Sequence, residues 1–207
     1  MRKLLVLIFM FSFQMANAVD IRTLFAEMPD SVLPLLSRIN RLDMLDFAEG
    51  GMKSVVRNKL DGESELLRID RTSLSIRYTD KSEIDMRLFF FKDSVPVICV
   101  SHTVFSVLAD SRIDFYDSHW NRIDGDRLLT LPDLKDFVIK GIPRDSLSVL
   151  YNASEVRSIR VRIPDDSDCL EFEYTGLSFL GSDSVRYAGF LRESPLRYNW
   201  NGRRFVP

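Results

Sequence analysis

The chain has 207 residues, 28 of them basic and 30 acidic, which gives a net charge of −2. The charges are spread evenly, so the sequence lacks the basic field that nucleic-acid-binding proteins need. Its nine glycines form no Walker or dinucleotide-binding pattern. We therefore expect no nucleic acid among its partners and no cofactor.

Residues 1–18 predict a secretory signal peptide. Arg2 and Lys3 precede an apolar run over residues 4–13, and Ala16-Asn17-Ala18 has the small-residue pattern of a cleavage site. The apolar run is shorter than the ~20 residues that span a bilayer, and no cysteine follows the cleavage site to carry a lipid. We expect an exported protein, periplasmic or secreted, that is not a lipoprotein and has no transmembrane span after cleavage.

Residues 24–60 carry apolar side chains at helical spacing. Ser31 is expected to cap a first short helix, whose first turn tolerates Pro34. The apolar stripe of this helix is predicted to contain Val32, Leu35, Leu36 and Ile39. A second apolar segment over residues 42–45 is expected to continue as a helix and to end at Gly50-Gly51.

From Leu66 onward the apolar residues recur at every second position, which is typical of half-buried strands. Residues 72–79 and 82–91 predict an antiparallel hairpin. Pairing Tyr78 with Ile84 also sets Ile76 opposite Met86 and Arg77 opposite Asp85, so both faces favour this register. The next segment, residues 95–108, is apolar on both sides and predicts a central strand.

Two further hairpins contain the tryptophans. Residues 111–116 alternate, and residues 117–119 supply a turn before Trp120. Residues 196–200 alternate in the same way, and Asn201-Gly202 predicts a two-residue type I′ turn that returns Phe205 on the facing strand.

The second half of the sequence follows the order of the first. Residues 131–153 predict a short helical region, and residues 159–163 and 170–174 predict a hairpin with Val161 opposite Phe172 and Ile163 opposite Leu170. A further strand is expected over residues 184–191, before the last hairpin.

We therefore predict an α+β protein with two tandem helix-plus-antiparallel-meander repeats, residues 19–123 and 124–207, in one compact unit. The repeats are expected to form one curved antiparallel sheet. Short helices would cover one face of this sheet and leave the other face partly open to solvent.

The sequence predicts no catalytic residue and no metal site. Ser101 and His102 are neighbours on a strand, so they point to opposite faces and cannot act together as nucleophile and base. His119 is interpreted as a turn residue, and the histidine spacing matches no zinc motif. The acid-rich turns, such as residues 165–168, lack the ligand spacing of an EF-hand.

The two cysteines, Cys99 and Cys169, lie in strand-like apolar segments. They form no CxxC pair that would indicate a redox or metal site. In an oxidising compartment they are either joined in a disulfide or remain two buried free thiols, and the sequence leaves both alternatives open.

Aromatic and basic side chains mark a candidate binding surface on the helix-free face of the sheet. We assign to it Phe89, Phe91, Arg87, Arg112 and Tyr116, since aromatic residues and arginine are enriched at protein interfaces. The alternative for each residue is ordinary sheet surface or a second small core. The leading hypothesis is a non-enzymatic binding module for an envelope or extracellular protein or a cell-surface ligand. The alternative function is an envelope hydrolase of glycans or esters without a recognisable motif.

The segments LFAEMPDSVLPLLSRINRLDMLDF and ADSRIDFYDSHWN resemble an uncharacterised exported family of Bacteroidales, domain of unknown function 3256. The resemblance covers nearly the whole chain after residue 18 and implies the same order of helices and strands. The family motifs carry no known chemistry, so the resemblance assigns no catalytic or binding residue. The repeat topology also resembles the fold of beta-lactamase-inhibitor proteins, which implies a binding face on the sheet but establishes no function.

Overall fold

Helices and two antiparallel sheets make up the computed structural model, which describes residues 19–153, 158–165, 167–177 and 184–207. The predicted signal peptide, residues 1–18, lies outside the described residues. The helices are α1 (Ile21–Glu27), α2 (Arg38–Glu49), α3 (Leu134–Phe137), α4 (Arg144–Ala153) and α5 (Ser184–Ala188). The predicted α+β class with antiparallel meanders is confirmed.

The first sheet has seven strands, β1 to β7, which pair with their neighbours in chain order. They are β1 (Val55–Arg57), β2 (Glu63–Ile69), β3 (Ser73–Thr79), β4 (Ser82–Phe90), β5 (Pro96–Phe105), β6 (Ala109–Tyr116) and β7 (Arg122–Ile123). The apolar segment over residues 95–108 forms the interior strand β5, as predicted.

The predicted register of the β3–β4 hairpin is wrong by two residues. Ile76 lies opposite Ile84, and Arg77 lies opposite Glu83. The turn between the strands is shorter than expected, because Thr79 already pairs with Ser82. An irregularity between Arg77 and Thr79 then shifts the pairing by one residue. The shift is an even number of residues, so each side chain keeps its predicted face.

The first core lies between the helices and one face of this sheet. Helix α2 begins after Ser37, which forms a capping box with Asn40, and not after Ser31. Residues 30–36 form turns, and the predicted inward residue Ile39 is exposed. The prediction of Ser31 as the cap is wrong, because Ser37 exchanges hydrogen bonds with a residue three positions later.

Arg41 on α2 is buried and holds the chain that precedes the helix. Its Nε donates to the carbonyl of Phe25 (3.0 Å), and Nη1 donates to the carbonyl of Leu36 (2.7 Å). The same guanidinium contacts the carbonyl of Met28 and pairs with Asp30. A buried charge is tolerated only when its donors are satisfied in this way.

The second sheet contains four strands in the order β11-β10-β9-β8. They are β8 (Ile159–Arg162), β9 (Cys169–Tyr174), β10 (Leu196–Trp200) and β11 (Phe205–Val206). Val161 lies opposite Phe172 and Arg162 opposite Glu171, which confirms the predicted register of β8 and β9.

The second sheet packs on the face of the first sheet that α1 and α2 leave free. Phe89, Val97, Cys99 and Phe115 of the first sheet share a second core with Phe172 and its neighbours. The expectation of one curved sheet with a partly solvated face is corrected, because these apolar side chains require a cover. Nothing in the described strands shows the single curved sheet that the likeness to beta-lactamase-inhibitor proteins implied.

Two local predictions near the end of the chain are wrong. Residues 184–188 form helix α5 and not the predicted strand. A strand would place Val185 and Tyr187 on the same face, whereas Val185 is exposed and Tyr187 is buried. The last hairpin has a four-residue loop, with Trp200 opposite Phe205. The side chain of Asn201 accepts from the backbone N–H groups of Arg203 and Arg204 and thereby opens the turn.

The boundary predicted at residues 123/124 separates the strands of the first sheet from those of the second. The two halves differ in strand number, seven against four. Their origin as a tandem repeat stays a prediction.

Candidate functional site

The five predicted binding residues do not form one surface. Phe89 is 1% exposed and Arg87 is 7% exposed, and both lie between the two sheets. Phe91 is half-buried against Trp200, with their ring centres 5.5 Å apart. Arg112 and Tyr116 pair with His102 and Ile98 of β5, and Ile98 belongs to the core under α1 and α2. They therefore lie on the face of the sheet that carries the helices and not on the predicted helix-free face.

Arg87 links the two sheets. Its Nη1 donates to the carbonyls of Pro164 and Asp165, both at 2.9 Å, and its Nη2 pairs with Asp168 at 3.1 Å. A guanidinium with these partners serves the fold and is not available to an external ligand.

Arg112 belongs to a group of charged side chains at the sheet edge that the helices leave open. Strand β6 places Arg112 and Asp114 on one face, and β7 adds Arg122 beside them. Asp114 is buried, whereas the side chains of Arg112 and Arg122 are 70% and 72% exposed. The Asp114 carboxylate accepts from Arg112 Nε at 2.9 Å and also contacts Nη2 of Arg122.

This arrangement fixes two guanidinium groups at the surface without using up their donors. Each guanidinium carries five N–H donors, and a planar guanidinium binds carboxylate or phosphate oxygens in pairs. The group has two positive charges and one negative charge. We define Arg112, Asp114 and Arg122 as the arginine pair site.

His102 and Tyr116 border the arginine pair site. His102 lies opposite Arg112. The His102 and Tyr78 rings are nearly perpendicular, with their centres 5.6 Å apart. Burial and then the charge of Arg112 lower the pKa of His102, so the imidazole is neutral at neutral pH. Burial and the Asp114 carboxylate raise the pKa of Tyr116, so its phenol keeps its proton.

Trp120 fixes the turn beside this site. Its ring packs on Tyr116 with ring centres 5.4 Å apart, and its Nε1 donates to the carbonyl of Leu24 at 3.2 Å. The predicted turn over residues 117–119 is present, with Asp117 accepting from the backbone N–H groups of His119 and Asn121. The turn therefore ties the site to helix α1.

Sequence reasoning missed Asp114, Arg122 and His102. The alternation of Arg112 and Asp114 was visible, and so was the short hairpin that follows them. Aligning Tyr116 with Arg122 across that hairpin, as the structure does, would have joined the second arginine to the first.

The described residues assemble no catalytic group around either histidine. Ser101 lies on the other sheet face from His102. Ser118 Oγ lies 3.4 Å from Nδ1 of His119 on an exposed turn, but Asp117 binds the backbone N–H of His119 and not its ring. Within the described ranges, no three His, Cys, Asp or Glu side chains come together in a way that could hold a metal ion.

Cys99 and Cys169 are both buried and are free thiols, so the second of the two alternatives holds in this structure. Burial raises the pKa of the Cys99 thiol, with smaller contributions from Asp85 and Asp114. A protonated, buried thiol is unreactive.

The fold and the site define an α+β protein with two antiparallel sheets and an exposed arginine pair on one sheet face. Residues 13–205 match the model of the family described as "Protein of unknown function (DUF3256)". The chain belongs to this family, as the resemblance in its sequence implied.

A solved structure is similar over most of the chain. It is a domain of an uncharacterized protein from Porphyromonas gingivalis W83, with 29% sequence identity and a TM-score of 0.80. The match covers 91% of this chain and 98% of that one. No curated protein matches the chain. None of the described helices has the length and apolar character to cross a membrane.

Proposed function

We propose that this protein is an exported, non-enzymatic binding module of the cell envelope, which binds a partner protein through the arginine pair site. The observation that carries the proposal is the buried Asp114 carboxylate between two exposed guanidinium groups. Burying the Asp114 carboxylate costs desolvation energy. The carboxylate holds both guanidinium groups in place, and these groups can then bind the carboxylates of an acidic partner.

The chemistry of the site favours a partner segment that carries carboxylates. The spare donors of Arg112 and Arg122 form charge-assisted hydrogen bonds, which are stronger than neutral ones. Tyr116, which packs on Trp120, supplies an aromatic side chain of the kind that accompanies arginine at interface hot spots. The Tyr116 ring is half-buried and the Trp120 ring is buried, so both are held in place before a partner binds.

Affinity capture from cells after chemical crosslinking tests this proposal. We expect one protein to be recovered in near-equal amount with the wild type, and the recovery to fall by about tenfold or more for Arg112→Ala with Arg122→Ala. Arg38→Ala with Arg144→Ala removes two exposed arginines elsewhere and is the matched control. Equal recovery with both double variants would show that the arginine pair site binds no partner.

Export is tested separately, by fractionation and sequencing of the processed N-terminus. The signal-peptide pattern predicts a periplasmic or secreted protein that starts at Val19. A cytoplasmic protein that retains residues 1–18 would contradict this part of the proposal.

The alternative function is an envelope hydrolase of glycans or esters. A cleft of about 230 Å³ in the second half has aromatic walls from Phe137 and Tyr174, and Glu173 and Glu193 line it. Paired carboxylates are what glycoside hydrolysis uses. Turnover of a glycan substrate that Glu173→Gln and Glu193→Gln abolish would establish this alternative, whereas no turnover across a broad substrate panel would exclude it.

A further inference from the structure

Two loops join at one end of the molecule, away from the arginine pair site. They are the β4–β5 loop, residues 91–95, and the β10–β11 loop, residues 201–204. The backbone N–H of Lys92 donates to the carbonyl of Gly202 at 3.1 Å, and Trp200 Nε1 donates to the carbonyl of Phe90 at 2.7 Å. A Cβ atom at Gly202 would lie 2.9 Å from Cγ of Lys92, so glycine permits this close approach.

Two apolar side chains are exposed at this end of the molecule. Phe90, the last residue of β4, is 39% exposed, and Val95 in the β4–β5 loop is 49% exposed. Trp200 packs on Phe91 and on Phe205, with ring centres 5.5 and 4.9 Å apart. These aromatic contacts hold the two loops together, and Phe90 points to the other face of β4 from Phe89 and Phe91.

The same loops carry an excess of positive charge. Their nine residues include Lys92, Arg203 and Arg204 but a single acid, Asp93. Among the described residues none of the three cations forms an ion pair, and Arg204 donates to Thr130 Oγ1. The neighbouring acid Asp168, whose carbonyl accepts from the Trp200 N–H, is paired with Arg87. We define Phe90, Lys92, Val95 and Arg203 as the loop-end surface.

We propose that the loop-end surface docks on an anionic phospholipid bilayer. Its cations complement anionic headgroups, and Phe90 and Val95 insert at the boundary between headgroups and acyl chains. Val95 has no ring on which a sugar could stack, Phe90 offers a single ring without a polar group, and the Trp200 ring already packs on other aromatic rings. Apolar side chains without hydrogen-bonding groups beside cations favour a lipid headgroup boundary over an acidic glycan as their contact.

Flotation with vesicles tests the proposal. The protein used starts at Val19, so that it contains all the described residues but not the apolar run of residues 4–13, which could itself bind lipid. Vesicles of phosphatidylcholine alone are compared with vesicles of phosphatidylcholine and phosphatidylglycerol in equal parts. We expect binding to the anionic vesicles that weakens as salt is raised. Lys92→Glu with Arg203→Glu should reduce the partition coefficient by about tenfold or more.

Two further variants separate lipid docking from general charge attraction. Phe90→Ser with Val95→Ser should also reduce binding, whereas Val107→Ser, at another exposed apolar residue, should not. Arg38→Glu with Lys140→Glu reverses two exposed cations elsewhere and should leave binding unchanged. Equal binding to both vesicle types, no binding, or binding of an acidic polysaccharide or protein without lipid binding would overturn the proposal. None of these variants alters Arg112 or Arg122, so the result is independent of the proposed partner site.

Discussion

The two faces of the seven-stranded sheet are built from different chemistry. On the face under α1 and α2, apolar side chains such as Ile76 and Ile84 lie opposite each other and are fully buried. On the other face one row of paired residues is polar and runs across four strands. This row contains Arg68, Ser75, Asp85 and Ser101.

The difference shows where the stability of the fold comes from and where it is vulnerable. The helix face gains from apolar burial, which does not depend on the titration of charged groups. The other face combines apolar packing around Phe89 with ion pairs to the β8–β9 turn, Arg87 with Asp168 and Arg68 with Asp165. Contact between the two sheets therefore depends on charges as well as on apolar burial.

The largest expected effect is on the helix face. Leu74→Ala should lower the free energy of unfolding by about 2–5 kcal/mol, because it empties space in a close-packed core. Its neighbour Ser75 points to the other face and hydrogen-bonds Asp85, so Ser75→Ala is the comparison variant and should cost about 1 kcal/mol. Urea unfolding measures both, and equal losses would contradict the difference between the faces.

A smaller loss is expected between the sheets. Arg87→Met keeps much of the side-chain volume but removes the hydrogen bonds to the β8–β9 turn, which should cost about 1–3 kcal/mol. Arg38→Met, at an exposed arginine of α2, should change stability by less than about 0.5 kcal/mol. If both variants had the same urea midpoint, Arg87 would not hold the sheets together.

The third effect depends on pH. Burial raises the pKa of Asp85 above its ordinary value of 3.8, against a hydrogen bond from Ser75 and the nearby charges of Arg68 and Arg160. The folded protein therefore holds this proton more tightly than the unfolded chain, and its stability falls as pH rises through the window from 3.8 to the raised pKa.

Asp85→Asn removes this pH dependence. The free energy of unfolding of the variant minus that of the wild type should therefore increase as pH rises from below 3.8 toward neutral. Unfolding titrations of both proteins at several pH values measure the difference. A constant or decreasing difference would contradict the assignment of a raised pKa to Asp85.

The smallest effect is expected at Ser101. Its Oγ is buried and has no hydrogen-bond partner in the part of the chain that the structure describes. Ser101→Ala removes a polar group whose desolvation is uncompensated, so stability should stay the same or rise by up to about 1 kcal/mol. A loss of more than about 1 kcal/mol in thermal unfolding would reveal a partner for this hydroxyl.

The alternation in the sequence was enough to predict most of the strands but not their division into two sheets. Val161 and Phe172 face each other as predicted because the β8–β9 ladder is regular. The β3–β4 register could not be predicted, since alternation is unchanged by a shift of two residues and the irregularity near Thr79 has no sequence signature. Helix α5 was missed because Val185 and Tyr187 alternate like strand residues.

The candidate site was predicted only in part, for a different reason. Alternation assigns Phe89 and Arg112 to faces but does not say which layer covers each face. The second sheet, contributed by residues far along the chain, buries Phe89 and Arg87. Arg112 and Tyr116 lie on the face of β6 that carries the helices, not on the predicted helix-free face. Their charged neighbour Arg122 emerged only from the pairing of β6 with β7.

The arginine pair site is tested most directly by a photoreactive amino acid placed at position 104 in living cells, with position 144 as the control. Val104 is exposed on β5, one pair along from His102 and Arg112 on the same face, and Arg144 is exposed elsewhere. We predict that irradiation crosslinks one partner protein from position 104 and none from position 144. Crosslinking from position 144 alone, or from neither position, would contradict a partner site at Arg112, Asp114 and Arg122.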